Sequence, residues 1–301
     1  MDEREWLTQQ FEEHRGHLRA VAYRMLGSLA DADDAVQDTW LRLHRAEAGD
    51  VENLGGWLTT VVARVCLNML RSRNVRKEQP LESYVPDPVV SRQDRYDPEN
   101  EAVLADSVSL ALLVVLGTLT PAERLVFVLH DMFELPFDEI APMVGRTPAA
   151  ARQLASRARR RVKGADVPAP RADLRRQREI VDAFFAAARE GDFDALVTVL
   201  HPDVVLRIDG GSAFPAASMV VRGAAEVATQ SNRGLKTVLS RADTGILPAV
   251  VNGGPGVIVT MAGRPVTVMG FTIADGKVIE IDSISDPARV ERITESAENE
   301  R

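Results

Sequence analysis

The chain has 301 residues, 45% hydrophobic and 27% charged, with a formal net charge of −8. That balance excludes a collagen, a mucin-like stalk and a wholly disordered chain, and the length predicts two or three domains. The single cysteine, Cys66, excludes a disulfide framework and a thiolate zinc site, and it points to a reducing cytoplasm. No run of 18 apolar residues is present, and the acidic start Met1-Asp2-Glu3-Arg4-Glu5 lacks the apolar core of a secretory signal.

Residues 1–78 read as a helical domain. Apolar side chains recur at three- and four-residue spacing in Phe11, Leu18, Val21, Ala22, Met25 and Leu26, then in Ala32, Val36, Trp40 and Leu43. A third run holds Trp57, Leu58, Val61, Val62, Val65, Met69 and Leu70, and Gly55-Gly56 punctuates the gap before it. Residues 79–100 change character. Pro80, Pro86, Pro88 and Pro98 stand among many charges, which predicts a flexible linker.

Helices return over 101–163. Thr120, Pro121 and Glu123 carry the spacing of a capping box with proline at the first helical position. Phe137–Ala141, a turn at Gly145, and Thr147-Pro148 opening a second helix make a helix-turn-helix pattern. A second linker, 164–172, contains Pro168 and Pro170. The domain from 173 to 295 begins with two helices broken at Gly191-Asp192. Period-two runs follow at 204–208, 257–261, 266–269 and 278–281, with hairpin turns at Ala262-Gly263-Arg264 and Asp275-Gly276-Lys277. Helices before an antiparallel sheet predict an α+β domain. The fold class expected is therefore multidomain: two all-α domains, the second a helix-turn-helix, then an α+β domain.

Charge is the most informative feature. Between Arg146 and Arg178, eleven basic residues face only Asp166 and Asp173, a local charge of +9 in an acidic chain. On the helix after Thr147, the pattern buries Ala151, Leu154 or Ala155, Ala158 and Val162. It exposes Ala149, Ala150, Arg152, Gln153, Ser156, Arg157 and Arg160. Arginine and glutamine there can reach base edges in a major groove, and the bland alternative is a solvated basic helix end. A second basic face joins Arg64, Asn68 and Arg71 at helical spacing, near Arg73, Arg76 and Lys77. An acidic face holds Asp33, Asp34, Gln37 and Asp38; it can meet a basic partner or simply form an Asp38–Arg42 pair.

The segment Asp31-Ala32-Asp33-Asp34-Ala35-Val36-Gln37-Asp38-Thr39-Trp40 resembles the polymerase-binding helix of bacterial sigma-70-family factors. Trp57 to Arg73 resembles their promoter-melting, −10-reading helix. Leu119–Arg124 and Phe137 through Arg161 resemble their −35-reading helix-turn-helix. The order and the linker are those of the extracytoplasmic-function (ECF) group. Residues 173–295 resemble the SnoaL-like, NTF2-like cone fold related to ketosteroid isomerases, a tail that one subgroup of these factors carries. That subgroup has an Asp-Gly-Gly-Gly-Lys motif, kept here as Asp209-Gly210-Gly211 with Ser212 and Ala213 in the last two places. Its late Asn-Pro-Asp-Lys-Leu motif is loosely matched by Asp286-Pro287-Ala288-Arg289-Val290.

The resemblance implies a cytoplasmic, stress-responsive transcription initiation factor. Asp33, Asp34, Gln37 and Asp38 would face the beta-prime clamp helices of the RNA polymerase core, with the beta flap as a further contact. Arg64, Asn68, Arg71 and Arg73 would face the −10 element, with the Asp50–Gly56 loop near an unstacked base. Ala150, Arg152, Gln153, Ser156 and Arg157 would face the −35 element. Asp209, Gly210, Gly211, Asp286 and Pro287 would serve regulation in cis, with no external anti-sigma factor required. A small-molecule ligand in the cone remains open. No cofactor, metal or membrane partner is expected. Two rivals stand beside this: a helix-turn-helix regulator with a ligand-sensing tail, and a cone-fold enzyme using His201, Asp209 or Asp282 with a DNA-binding half. Tyrosine is absent after Tyr96, so a tyrosine oxyanion donor is not available to the tail.

Overall fold

The computed structural model describes residues 3–45, 53–75, 83–92, 108–164 and 174–299. Two compact units partition the chain. The first comprises 1–78, 102–104 and 115–167; the second comprises 79–101, 105–114 and 168–301.

In the first unit, α1 (Glu3–Leu26), α2 (Leu29–Arg45) and α3 (Leu54–Val75) pack on one another. The periodic apolar positions do the packing: Leu18, Val21, Ala22, Met25, Ala32, Leu43, Leu58 and Val62 are fully buried. Gly55 and Gly56 do not interrupt the chain as expected; they lie in the first turn of α3, which Asn53 caps through a 2.9 Å bond to the Gly56 amide. A Cβ on Gly55 would come within 2.9 Å of the His14 ring, so close helix packing is what the glycine serves.

A chain segment α4 (Leu110–Thr118) leads to α5 (Pro121–Phe127), a π-helical turn (Val128–Met132), α6 (Phe137–Val144) and α7 (Pro148–Lys163). Both sides of the Thr120–Glu123 capping box form. Gly145 closes α6 in the left-handed region at φ 64°, and the Thr147 side chain caps α7. These three signals make the helix-turn-helix. Within this unit the two helical modules touch. Arg124 Nε donates to the Arg24 carbonyl at 3.1 Å, and the Arg24 guanidinium lies 5.1 Å over the Phe133 ring.

The second unit is built on one seven-stranded sheet, ordered β1-β4-β5-β6-β7-β2-β3. Helices α8 (Leu174–Glu190), α9 (Phe193–Val199) and α10 (Ala224–Leu239) cover one face, where Phe184, Phe185 and Phe271 stack edge to face. On the other face, α11 (Pro287–Asn299) contributes Val290 and Ile293 to a smaller core with Ile258, Val268 and Ile284. The strands are β1 (Val90–Arg92), β2 (Leu200–Asp209), β3 (Met219–Arg222), β4 (Thr244–Val251), β5 (Gly254–Met261), β6 (Arg264–Ala274) and β7 (Lys277–Ile284). The two expected hairpin turns form, with positive φ at Ala262-Gly263 and Asp275-Gly276.

Several expectations need correction. The stretch read as a flexible linker is described over 83–92, and its last three residues, Val90–Arg92, form an edge strand of the sheet. Val90, Ser91 and Arg92 pair with Val251, Val250 and Ala249, and Val85 and Val90 are buried. Val90 brings a β-branched side chain to an edge position with an apolar slot, and burial outweighs the proline signal. His201-Pro202-Asp203 lies inside β2, at a shift in its register with β7. Strands β3 and β4 and helices α10 and α11 were not expected. The turn between β4 and β5 is Asn252-Gly253, both at positive φ, a hairpin signal hidden by the glycine-rich sequence around it.

Candidate polymerase and nucleic-acid interfaces

Helix α2 separates the acidic residues by face. Asp34 and Gln37 are exposed, and Asp38 sits beside them in a 3.0 Å pair with Arg42. Asp33 points elsewhere: Arg19 of α1 holds both its oxygens, at 2.7 and 3.1 Å. The partner of Asp33 is thus already on the protein. Sequence reasoning missed Leu41, one turn beyond Gln37 and Asp38. It is 46% exposed, on a helix whose Val36 and Leu43 are buried. An exposed leucine beside acids on an amphipathic helix was the available signal.

On α3, Arg64, Asn68 and Arg71 are exposed and share a face, as their spacing required. Trp57 and Val61, half-buried, continue that stripe toward the helix start. Arg73 lies in the helix, but its side chain is outside the described residues, as are residues 50–52 of the Asp50–Gly56 loop. A groove of about 340 Å³ between α2 and α3 is lined by Asp38, Arg42, Met69, Asn68 and Ser72, among others. The groove brings a residue of the acidic set and one of the basic set to a common wall.

On α7, Ala151, Leu154, Ala155 and Ala158 are buried and Val162 half-buried, as the pattern predicted. Arg152, Gln153, Ser156, Arg157 and Arg160 are exposed, and Ala150 is half-buried. The arginines are not equivalent. Arg159 pairs with Asp131 at 2.5 Å. Arg161 Nη1 donates to Glu123 Oε2 at 2.8 Å, and Arg157 Nε lies 3.6 Å from Glu123 Oε1. The Arg152 guanidinium sits 5.5 Å over the Phe137 ring.

The basic block is divided between the units: Arg175, Arg176 and Arg178 belong to α8 of the second unit. There Arg178 reaches the sheet, donating to the Gly256 carbonyl at 2.5 Å. Burial lowers its proton affinity and Asp182 opposes that effect.

In the second unit, the two motif fragments that the sequence left 75 residues apart come together. Asp286 caps α11 by accepting from the Arg289 amide at 3.1 Å, and its other oxygen faces the Ala213 amide. Gly211, at φ 59°, lies so close that a Cβ would stand 2.1 Å from an Asp286 oxygen; at Gly210 it would stand 2.3 Å from the Phe214 carbonyl. Pro287 follows the cap, exposed, at the first position of α11.

Asp209, 1% exposed, accepts from the Val85 amide at 3.0 Å, the Gly211 amide at 2.9 Å and Arg289 Nη1 at 2.7 Å. Arg289 also donates to Asp87 at 2.6 Å and to the Val85 carbonyl, and stacks over Tyr84. Asn252 completes the grip. Its side-chain oxygen accepts from the Val89 amide at 2.7 Å, and its amide donates to the Val108 carbonyl at 3.0 Å. Segment 83–92 and residue 108 are therefore fastened to the sheet by buried polar groups from three separate stretches of the tail.

The three tail residues considered for acid–base chemistry are each engaged within the protein. Asp209 is committed to the segment at 85, and Asp282 is bound to Arg207. His201 accepts from the Asp203 amide.

The comparisons with known proteins agree with the helical modules. Sigma-70 region 2 matches residues 10–76 and sigma-70 region 4 matches residues 109–162. The ECF RNA polymerase sigma factor SigJ of Mycobacterium tuberculosis is 38% identical over 290 residues, covering 92% of this chain and 91% of its own. A probable ECF RNA polymerase sigma factor of that organism, SigI, is 34% identical and covers 92% of each chain. The crystal structure of the Mycobacterium tuberculosis SigJ superposes with a TM-score of 0.73 at 35% identity, over 94% of this chain and 97% of that one. The chain belongs to the extracytoplasmic-function sigma factors of the sigma-70 family. It is a transcription initiation factor that binds core RNA polymerase and promoter DNA, and it is not itself a catalyst. Its α+β tail is SnoaL-like. Among the described residues, no helix is long and apolar enough to cross a membrane.

Proposed function

We propose that α2 docks on the beta-prime clamp helices of core polymerase through Asp34, Gln37, Asp38 and Leu41. In the same reading, α3 meets the −10 element through Arg64, Asn68 and Arg71, with Arg73 beside them. Helix α7 meets the −35 element through Arg152, Gln153, Ser156 and Arg157, with Ala150 giving the backbone room to approach. The observation that carries this is the exposure of these polar side chains on helices whose opposite faces are fully buried. Asp33 is left out of the docking face because Arg19 engages both its oxygens, whereas Arg42 engages only one of Asp38.

The tail acts in cis on the segment that joins the two DNA-binding modules. Held by Asp209, Arg289 and Asn252, that segment cannot extend freely, so the reach between α3 and α7 depends on the tail. Asp209, Gly210, Gly211, Asp286 and Pro287 build the local turn and helix cap that place Arg289. An external anti-sigma factor has no necessary part in this scheme. Nor does a ligand; Phe184, Phe185 and Phe271 belong to the core between helices and sheet.

Promoter-dependent transcription with purified core polymerase tests the reading. Arg64→Ala is expected to weaken open-complex formation, and Arg152→Ala to weaken selection of the −35 element, by about 1–3 kcal/mol each if the arginine reads a base. Equal loss on every template would assign the residue to phosphate contact. Unchanged transcription in both variants would reject these faces.

Leu41→Ala gives a separate result. Removing an exposed anchor at the centre of an acidic docking face should lower core-polymerase affinity by roughly 1–2 kcal/mol, while leaving the melting temperature of the free protein unchanged. Pull-down of core polymerase over a concentration series reads it, and equal affinity would remove Leu41 from the interface.

A further inference from the structure

The carboxylate of Glu123 has more work than a capping box requires. Its side chain is 5% exposed. Oε2 accepts from the Thr120 amide at 3.1 Å, from the Thr120 hydroxyl at 2.8 Å and from Arg161 Nη1 at 2.8 Å. Oε1 faces Arg157 Nε at 3.6 Å. Burial pushes the carboxyl up, but the Thr120 bonds and the Arg161 charge hold it below the usual carboxylate range, so it stays ionised. One buried anion in α5 therefore lies under two arginines one turn apart on α7.

The two arginines differ in what remains free. Arg161 gives its terminal nitrogen to Glu123. Arg157 turns its Nε edge to Glu123, and its side chain is 54% exposed. At 3.6 Å this contact is an ion pair and not a hydrogen bond, and a guanidinium drawn to an anion by its Nε edge keeps its two terminal nitrogens for another acceptor pair. Such a fork matches the O6 and N7 edge of guanine in a major groove. An arginine on an exposed helix face otherwise samples many rotamers, and fixing it before contact lowers the cost of ordering it on DNA.

We propose that Glu123 is a positioning residue for promoter selectivity, in that its buried carboxylate presents Arg157 of α7 in the orientation that reads a guanine edge. This rests on the reading of α7 as the −35 helix. The contribution is to discrimination at one base pair, not to general affinity, because Glu123 is buried and touches no DNA. Arg161 shares the anion but spends Nη1, one tine of its fork, on Glu123 Oε2, and it has no part in base choice.

The test uses holoenzyme assembled from the full chain and core polymerase, transcribing a template library randomised over the −35 element. Sequencing of transcripts gives the preference at each position. In the parent protein one position favours guanine, and Arg157→Ala abolishes that preference. Glu123→Gln keeps a capping acceptor but loses the charge. It is expected to reduce the same preference about tenfold, equivalent to about 1.4 kcal/mol, and to leave the other positions unchanged. The double variant should be no worse than Arg157→Ala alone. Arg161→Ala, which leaves Oε1 with Arg157, should keep the preference.

Thermal melting of the free proteins is measured beside it. If Glu123→Gln retains full preference where Arg157→Ala loses it, the positioning role is overturned and the −35 reading stands. If Glu123→Gln lowers all positions equally, together with the melting temperature, Glu123 is a helix cap only and the inference is again overturned. If Arg157→Ala alters no position, the −35 reading fails at Arg157, and the inference falls with it.

Discussion

Arg289→Ala is expected to destabilise the second unit by roughly 3–5 kcal/mol, the usual consequence of removing one partner from a buried ion pair. The arginine is 13% exposed in its side chain and Asp209 is 1%. Burial works against the guanidinium charge, but Asp87, Tyr84 and Asp209 more than restore it. Without it, Asp209 keeps the Val85 and Gly211 amides as donors and carries a charge with no counterion. The Val85 carbonyl loses its donor as well. Arg289→Lys restores charge but not the fork that spans Asp87, Asp209 and Val85, so it should recover only part of the loss.

All three tryptophans lie in the first helical module, so their fluorescence does not report on the tail. Hydrogen exchange does. The amides of Val85 and Val89 and the strand β4 should lose protection first, because they are what the cluster fastens. Protection unchanged at 83–92 in Arg289→Ala would show that β1 pairing alone holds the segment. It would also remove the physical basis for control by the tail.

The fold was legible where local signals agree with burial. The capping box at Thr120–Glu123, the left-handed Gly145 and the Thr147-Pro148 start each state one helix end in a few residues, and all form. The exposed faces of α3 and α7 followed from 3.6-residue periodicity for the same reason. What the sequence hid depends on partners far along the chain. Residues 83–92 look like a linker because their hydrogen bonds go to Asp209, Asn252 and Arg289, more than 100 residues away. The arginines of α7 look alike in sequence, and only the positions of Glu123, Asp131 and Phe137 give each a different neighbour: Arg159 and Arg161 spend a nitrogen on a carboxylate, while Arg152 and Arg157 stay exposed beside Phe137 and Glu123. Helix α10 was missed because polar Gln230, Ser231, Asn232 and Arg233 interrupt its apolar stripe, although Val227 and Ala228 are fully buried.

Asp282 makes the stability of the tail depend on pH in an unusual direction. It lies on β7 opposite Arg207 of β2, on the sheet face away from the phenylalanine core. Arg207 Nη1 meets Asp282 at 3.1 Å and also binds Glu280, so one cation serves two carboxylates. Burial raises the Asp282 carboxyl, Glu280 raises it further, and Arg207 offsets only part, leaving it at about 7. In the unfolded chain the same group ionises near 3.8. Between these values the folded state holds a proton that the unfolded state has released. Stability from this group is therefore full below about pH 4 and falls as pH rises toward 7, by at most about 4 kcal/mol. Asp282→Asn removes the titration. Its gain over the parent protein should be larger at pH 8 than at pH 5, read as the urea midpoint of the sheet signal in far-UV circular dichroism. Parallel behaviour of the two proteins across that range would mean that Arg207 keeps both carboxylates ionised, with the pair acting as a fixed brace and not as a proton store.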